Sequence, residues 1–303
     1  MEPLLVSIIV PVWNPRPDWL SVAIDSAFNE SGCRIELLLV DDGSKESPET
    51  WLSAQNAKRV NVIRIPHGGA GYARNVGLNH SRGEFIRFLD GDDVFLPEST
   101  SMLLNLTHGD RSVVTYGSTV VCNSYLQPRA IIRSCLSGRI HLQTALGRFE
   151  STLPAMLMPR RIAIQIGGFD ERLIVQGDWD FVLRVSEMAD FRGTRQPVYL
   201  YRRNEGSLTW SGTSQREAVR STILIIKGYL ARHPEIHGTR AERLVRAYAH
   251  FQIAKLKKPG GQLYSRRFWK AAAADPVRGL GIASSRMVAA CMRGAKSLVS
   301  HQD

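Results

Sequence analysis

Cysteine is scarce. The 303 residues hold four, Cys33, Cys122, Cys135 and Cys291, with no C-x-x-C pair and no histidine cluster beside them. That usage argues against structural zinc and against a disulfide scaffold, and it suits a reducing cytosol. Long apolar runs are also missing: nothing approaches the ~18 uninterrupted apolar residues of a membrane span. The opening "MEPLLVSIIVPVWN" has no basic residues ahead of its apolar run and meets Pro11 soon after. It therefore reads as a buried strand and not as a signal peptide. A dinucleotide G-x-G-x-x-G fingerprint, a P-loop Lys-Ser/Thr pair, internal repeats and low-complexity tracts are all absent.

Acidic residues are depleted at one end only. From Gln215 to Asp303 there are 17 Lys and Arg against 5 Asp and Glu, a net +12. The first 214 residues carry 22 basic and 23 acidic groups, a net −1, so the overall charge of +11 belongs to the C-terminal part. Such a region seeks an anionic partner: nucleic acid, an acidic lipid surface or a phosphorylated substrate. Within it, "YSRRFWKAAAA" sets Phe268 and Trp269 among Arg266, Arg267 and Lys270, and "GIASSRMVAACMRGAKSLV" repeats basic residues at helical spacing. Both suit the headgroup layer of an anionic membrane, or a helix packed with its arginines toward water.

What the sequence does contain is a strand–helix alternation. "LLVSIIVPV", "IELLLVDD", "VNVIRI" and "EFIRFLDGDD" read as apolar strands. "DWLSVAIDSAFN" has Leu20, Ala23, Ile24 and Ala27 on one helical face. A helix is expected around Pro48 to Asn56 and another from "GYARNVGLNH". Near-continuous apolar strands alternating with helices predict an α/β, doubly wound, mainly parallel sheet. Ligands of such sheets lie beyond the carboxyl ends of the strands. Further on, "SVVTYGSTVVCN" and "PRAIIRS" predict a β-hairpin. Helical patches follow near His141 to Phe149 and Arg160 to Ile166, then a helix near Asp178, a late strand in "TRQPVYLYRR" and helices from Gln215. We expect one domain over residues 1–212 and a basic helical region over 213–303.

Polar motifs interrupt this pattern at strand ends. "FLDGDD" packs Asp90, Asp92 and Asp93 into four positions around Gly91. Crowded carboxylates suit Mg²⁺ or Mn²⁺ with a phosphate supplying further ligands, or simply form a solvated acidic turn. "DDGS" (Asp41 to Ser44) is turn chemistry on its own. Gly68, Gly69 and Gly71 could cradle a phosphate at a helix N-terminus, with Arg74 in the first turns reaching a base or phosphate, or lying on the surface. In "GGFDERLIVQGDWDFVLR", Asp178 is either an N-cap or a general base. In "YRRNEGSLTW", Arg202, Arg203 and Ser207 form a loop that closes over phosphates, or an exposed basic turn.

In order, "PVWN", "DDGS", "GGxGxARNxGL", "FLDGDD", "GGFDE", "GDWDFVLR" and "YRRNEGSLT" resemble the family 2 glycosyltransferases of the GT-A fold, over roughly residues 4–210. The resemblance implies an inverting, metal-dependent enzyme. It would move a sugar from a nucleoside-diphosphate donor, a UDP-sugar by preference, to a saccharide hydroxyl. Lipid-linked acceptors in polysaccharide or glycoconjugate biosynthesis follow from the same resemblance; the cysteine usage and the basic C-terminal charge lead us to expect a location in the cytoplasm, or on the inner face of the plasma membrane. It places Pro11 and Val12 at the nucleoside wall, Asp42 on the base and Arg74 near base and phosphates. Asp90 falls at the ribose or a metal-bound water, Asp92 on the metal, Arg203 on the donor side, and Asp178 in the role of base. Two positions depart from the family pattern: Gly177 stands where a Glu usually precedes the base, and Asn204 where many members have His. Two other classes compete: a nucleic-acid-binding protein, for which no recognised motif is present, and a sugar-binding scaffold without catalysis.

Overall fold

The computed structural model describes residues 3–203 and 214–257. The expectations attached to Asn204, Ser207, Cys291 and the two basic segments after Gly260 lie outside the described residues. Among the described residues, chain contacts separate two compact units, 3–144 with 149–203, and Ala145–Arg148 with 214–257.

The first unit opens with β1 (Leu5–Val12), α1 (Pro17–Ala27), β2 (Arg34–Asp42), β3 (Val60–Ile65), α2 (Ala70–His80) and β4 (Phe85–Phe88). β1 runs parallel to β2 and β4, and β2 parallel to β3. The apolar strands are buried: Ile8, Ile9 and Val10 of β1 and Leu37, Leu39 and Val40 of β2 have no exposed surface. The predicted face of α1, Leu20, Ala23, Ile24 and Ala27, is also buried. Its start is set by Pro17, whose fixed φ suits the first helical turn, and by Asp18 near the positive end of the helix. Gly77 lets α2 lie close on β1, since a Cβ there would stand 2.4 Å from Ile9 Cγ2.

One expectation fails in this half. Pro48 to Asn56 does not form an α-helix; 3-10 turns at Pro48–Trp51 and Asn56–Lys58 bridge to β3 instead. The stretch is short, and its large apolar residues Trp51 and Leu52 are adjacent and not spaced at helical period, so it packs them on the core without the repeated stripe that sustains a helix.

The second half adds β5 (Val94–Phe95), α3 (Ser99–Leu106), β6 (Val113–Cys122), β7 (Pro128–Ile132), α4 (His141–Ala145), β8 (Met156–Pro159), α5 (Arg160–Gln165), α6 (Gly177–Met188) and β9 (Asp190–Arg202). The sheet order is β3-β2-β1-β4-β8-β6-β9-β5, with β7 paired to β6. β6 and β7 form the expected hairpin. β8 runs antiparallel to both β4 and β6, β5 antiparallel to β9, and β6 parallel to β9. The sheet is therefore parallel through its first half and mixed beyond β4.

Arg87 sits inside β4 with no exposed surface. It donates to Ser99 Oγ (2.9 Å), Thr100 Oγ1 (2.7 Å) and the Pro154 carbonyl (3.0 Å), and lies 3.5 Å from the centre of the Phe95 ring. Burial pushes its pKa down to about 9. In exchange the guanidinium ties β4 to α3 and to the turn before β8. In the second unit, α7 (Ser214–Arg232) and α8 (Arg240–Lys257) pack on one another. No helix among the described residues is long and apolar enough to cross a membrane.

Candidate active site

The carboxyl ends of β1, β2 and β4 bring the polar motifs together. Pro11 and Val12 end β1, Asp41 and Asp42 end β2, and Asp90 follows β4 by two residues. Val12 is buried, and its Cγ1 would stand 2.8 Å from a Cβ at position 91. Gly91 is thus the residue that lets the Asp90–Asp93 turn sit down on the end of β1. The "PVWN" and "DDGS" loops are stitched: the Asn14 amide donates to Ser44 Oγ (2.8 Å), and the Lys45 amide to Asn14 Oδ1 (2.9 Å). Above them Trp13 and His67 stack with centroids 4.8 Å apart.

Asp42 has a structural role besides the expected base contact. Its Oδ1 accepts the Gly68 amide (2.7 Å) and its Oδ2 the Gly69 amide (2.9 Å), and His67 Nδ1 lies 2.8 Å from Oδ2. Two amides of the expected phosphate cradle are therefore already engaged by a carboxylate. This corrects the cradle reading: the glycine loop is folded onto β2 by charge-assisted hydrogen bonds, not held open for an anion.

Arg74 is the centre of the arrangement. It lies nine-tenths buried on α2, donating from Nη2 to Asp90 Oδ1 (2.8 Å) and from Nη1 to Asp178 Oδ1 (3.1 Å). Burial lowers its pKa, but Asp178 and Asp90 more than offset this and hold it above the usual range, so it remains charged. Its guanidinium lies 5.5 Å from the centroid of Phe169, which stacks on Phe181 at 4.1 Å with Phe88 against both edges. The clamp thus rests on an aromatic floor that limits its movement.

Of the three aspartates Asp170, Asp178 and Asp180 in "GGFDERLIVQGDWDFVLR", only Asp178 joins the clamp. Asp170 pairs with Arg172 (2.7 Å) and Asp180 with Arg184 (2.6 Å). The N-cap of α6 is Gln176, held at φ 62°, so Asp178 is the second helical residue and not the cap. The Trp179 indole fixes that helix start by donating to the Thr144 carbonyl (3.0 Å). The Asp178 side chain is 48% exposed. The protein packed around it raises its pKa, Arg74 opposes this, Asp90 adds to it, and the net shift is upward. Gly177 has open space around it, a Cβ meeting nothing within 4 Å, so no steric reason excludes a side chain there.

Asp92 and Asp93 behave differently. Asp92 is partly exposed, and burial together with the charge of Asp90 pushes its pKa up to about 6. Asp93 is buried and faces inward. It accepts the Tyr199 hydroxyl and the Arg202 amide (2.6 Å), and burial followed by the two neighbouring aspartates raises its pKa. Arg203, exposed at the end of β9, donates its amide to the Cys122 carbonyl (2.9 Å).

Among the described residues no group of three or more His, Cys, Asp or Glu side chains is placed to hold a metal ion alone. Asp90 and Asp92 nonetheless offer hard oxygen donors beside one another, and Asp92 carries charge that only its own backbone amide and the more distant Arg202 temper. That donor set fits Mg²⁺ or Mn²⁺ taking its other ligands from phosphate and water.

Sequence reasoning missed Asn75, one residue after Arg74. Its Oδ1 accepts the Phe169 amide (2.7 Å), and its Nδ2 donates to the Phe169 carbonyl (3.0 Å) and to Glu171 Oε1 (2.7 Å). Gly168, at φ 70°, permits this contact, since a Cβ there would stand 2.3 Å from Asn75 Oδ1. The "ARN" and "GGFDE" motifs are two halves of one joint, and their co-occurrence was the available signal.

Comparison with known proteins gives the family and the fold. An uncharacterized glycosyltransferase of Rickettsia felis is 26% identical over 194 residues, 61% of this chain and 32% of that protein. One of Haemophilus influenzae is 28% identical over 199 residues, 62% of this chain and 64% of that protein. The chain thus spans about a third of the first of these relatives and less than two-thirds of the second. The crystal structure of S. aureus TarS 1-349 in complex with UDP-GlcNAc superposes with a TM-score of 0.62 at 17% identity, covering 95% of this chain and 78% of that one, which establishes the GT-A-like fold. The Glycosyl transferase family 2 profile matches residues 7–166, more than half of the chain, and the protein belongs to that family.

Proposed function

We propose that the protein is an inverting glycosyltransferase that moves a sugar from a nucleoside-diphosphate donor, a UDP-sugar by preference, to a hydroxyl of a saccharide acceptor. The observation that carries this reading is the Arg74 clamp, which sets Asp178 beside Asp90 and the Asp92 turn in one crevice. Pro11, Val12 and Asp42 form the nucleoside side, with Arg74, Asp90 and Arg203 toward the diphosphate. The bound UDP-GlcNAc of TarS supports this choice of donor.

In this reading Asp178 accepts the proton of the attacking hydroxyl as the bond to the anomeric carbon forms. Its raised pKa makes it a better proton acceptor than an ordinary aspartate. Arg74 holds that carboxylate in place and keeps its own charge within reach of the departing diphosphate. Asp90 and Asp92 would hold Mg²⁺ or Mn²⁺, which supplies Lewis-acid stabilisation of the leaving group when bound. With base and leaving group on opposite faces of the sugar, one displacement inverts the anomeric centre. A lipid-linked acceptor and a role in surface glycoconjugate synthesis complete the proposal, supported by the basic C-terminal composition. The test is release of nucleoside diphosphate from a panel of nucleotide sugars with Mg²⁺ and Mn²⁺. No release or transfer from any donor, with or without added saccharides, would refute it.

A further inference from the structure

The turn between β6 and β7 carries a side chain that the proposed reaction leaves unused. Tyr125 is 83% exposed, more than any other large hydrophobic residue among those described. Its turn is nevertheless tightly specified. Asn123 Oδ1 accepts the amides of both Tyr125 and Gln127 at 3.0 Å, and Asn123 Nδ2 donates to Gln127 Oε1 at 2.9 Å. The Asn123 amide donates to the Gln127 carbonyl and the Leu126 amide to the Asn123 carbonyl, each at 3.0 Å. Leu126 is held at φ 61°, a left-handed conformation that costs a branched side chain free energy and persists only where its surroundings dictate it. These hydrogen bonds and the left-handed Leu126 fix the backbone that carries one exposed aromatic ring.

The same turn is fastened to the acidic cluster. Arg202 donates from Nη1 to the Ser124 carbonyl (2.5 Å) and from Nε to the Asp92 carbonyl (2.6 Å), while its guanidinium lies 4.5 Å from the centre of Trp19. One planar group therefore sets the separation between the Asp92 turn and the neighbour of Tyr125. Sheet order gives the direction. The nucleoside side lies over β1 and β2, the acids follow β4, and β6 and β9 stand on the far side of β4.

We infer that Tyr125 is a stacking platform for a pyranose ring of the acceptor. This rests on the reading given under Proposed function. A sugar ring offers a face of C–H groups and a rim of hydroxyls, which a tyrosine meets with an apolar face and a polar tip. Two side-chain torsions make the ring cheap to immobilise. The turn Asn123–Gln127 itself contains no charged residue, so what it presents around the ring is polar and uncharged.

The test uses the full chain with UDP and Mg²⁺, and saturation-transfer NMR. The probes are methyl β-D-glucopyranoside, methyl β-D-galactopyranoside and methyl N-acetyl-β-D-glucosaminide. Wild-type protein should transfer saturation to the ring C–H protons of at least one probe. Tyr125→Ala should lower that transfer at least fivefold and Tyr125→Trp should retain it, with UDP affinity by calorimetry within twofold throughout. Equal transfer from wild type and Tyr125→Ala, or none to any probe from wild type, would overturn the inference. So would a Tyr125-dependent loss of cosedimentation with phosphatidylcholine–phosphatidylglycerol vesicles without a saccharide effect, which would make the ring a lipid contact. Tyr125-dependent transfer in a protein that binds neither UDP nor any nucleotide sugar would sustain the platform and sink the proposed reaction instead.

Discussion

Arg74 and Asp178, 104 residues apart in the chain, meet at 3.1 Å, and the same guanidinium holds Asp90 at 2.8 Å. Two carboxylates on different elements are thereby kept close, the guanidinium opposing the repulsion that Asp90 still exerts on Asp178. The pairing makes the proposed proton acceptor and the proposed donor-binding acid parts of one hydrogen-bonded group.

Arg74→Lys should separate the two functions of that group. An ammonium keeps the charge but cannot form two in-plane hydrogen bonds to two carboxylates. We expect kcat to fall by roughly 10- to 100-fold while the protein remains folded, since misplacing a catalytic group by about an ångström can cost of that order. Steady-state kinetics with circular dichroism as the folding control decide it; unchanged kcat would show that the clamp is dispensable.

The pH profile of Asp178 has a defined sign. A base whose pKa lies above the ordinary aspartate value loses activity on the acid side earlier than an unperturbed one. Removing the positive neighbour in Arg74→Gln deletes the influence that lowers this pKa, so the acid limb of the kcat profile should move to higher pH. Asp178→Asn should abolish the limb and cut kcat far more than donor affinity. A limb that stays in place in Arg74→Gln would remove Asp178 from the role of base.

Most of the first half of the sheet was legible because buried parallel strands write themselves as apolar runs. The termini of "LLLVDD" and "FIRFLDGDD" placed the acids at one edge. β8 was not legible: its four residues, Met156–Pro159, are wholly buried between β4 and β6, too short for any period to show. β5 has only two residues, and α3 starts behind Glu98 in a left-handed conformation that no local pattern announces. The site was legible as a set of residue types, but its wiring was not. Asp178 to Arg74, Asp93 to Tyr199 and Asn75 to Phe169 are all contacts between segments far apart in sequence. Local spacing could not tell Asp178 from its salt-bridged neighbour Asp180.

Metal dependence should appear as stability as well as rate. Burial, together with the charge of Asp90, raises the pKa of Asp92 to about 6, so Asp92→Ala should leave the metal-free protein as stable as wild type or more so. Adding Mg²⁺ with UDP should raise the wild-type Tm, because a ligand that binds only the folded state stabilises it. The same addition should raise the variant's Tm much less, and chelator should abolish wild-type transfer. Full activity in chelator, or an equal thermal shift in both proteins, would count against Asp92 as a ligand.

Glu36 offers a prediction independent of any function. It is buried on β2, where its carboxylate accepts the Ser7 hydroxyl (2.5 Å), the Arg82 amide (2.8 Å) and Arg82 Nε (2.6 Å). Ser7 Oγ in turn accepts the Gly83 amide at 2.8 Å, so one acid joins β1, β2 and the turn before β4. Burial raises its pKa, but these donors outweigh burial and hold it below the usual glutamate range. A depressed folded-state pKa contributes stability that is present above the unfolded value and lost as pH falls through the folded one. The urea midpoint of the wild type should therefore decline as pH falls below about 4.5. Glu36→Gln keeps the shape but loses the charge-assisted bonds. We expect it to cost about 2 kcal/mol at pH 7, as hydrogen bonds to charged groups typically contribute. The difference from wild type should shrink toward acid, where wild-type Glu36 is itself protonated. A constant gap between the two proteins from pH 7 down to pH 3 would show that the loss is one of packing and that the charge contributes nothing.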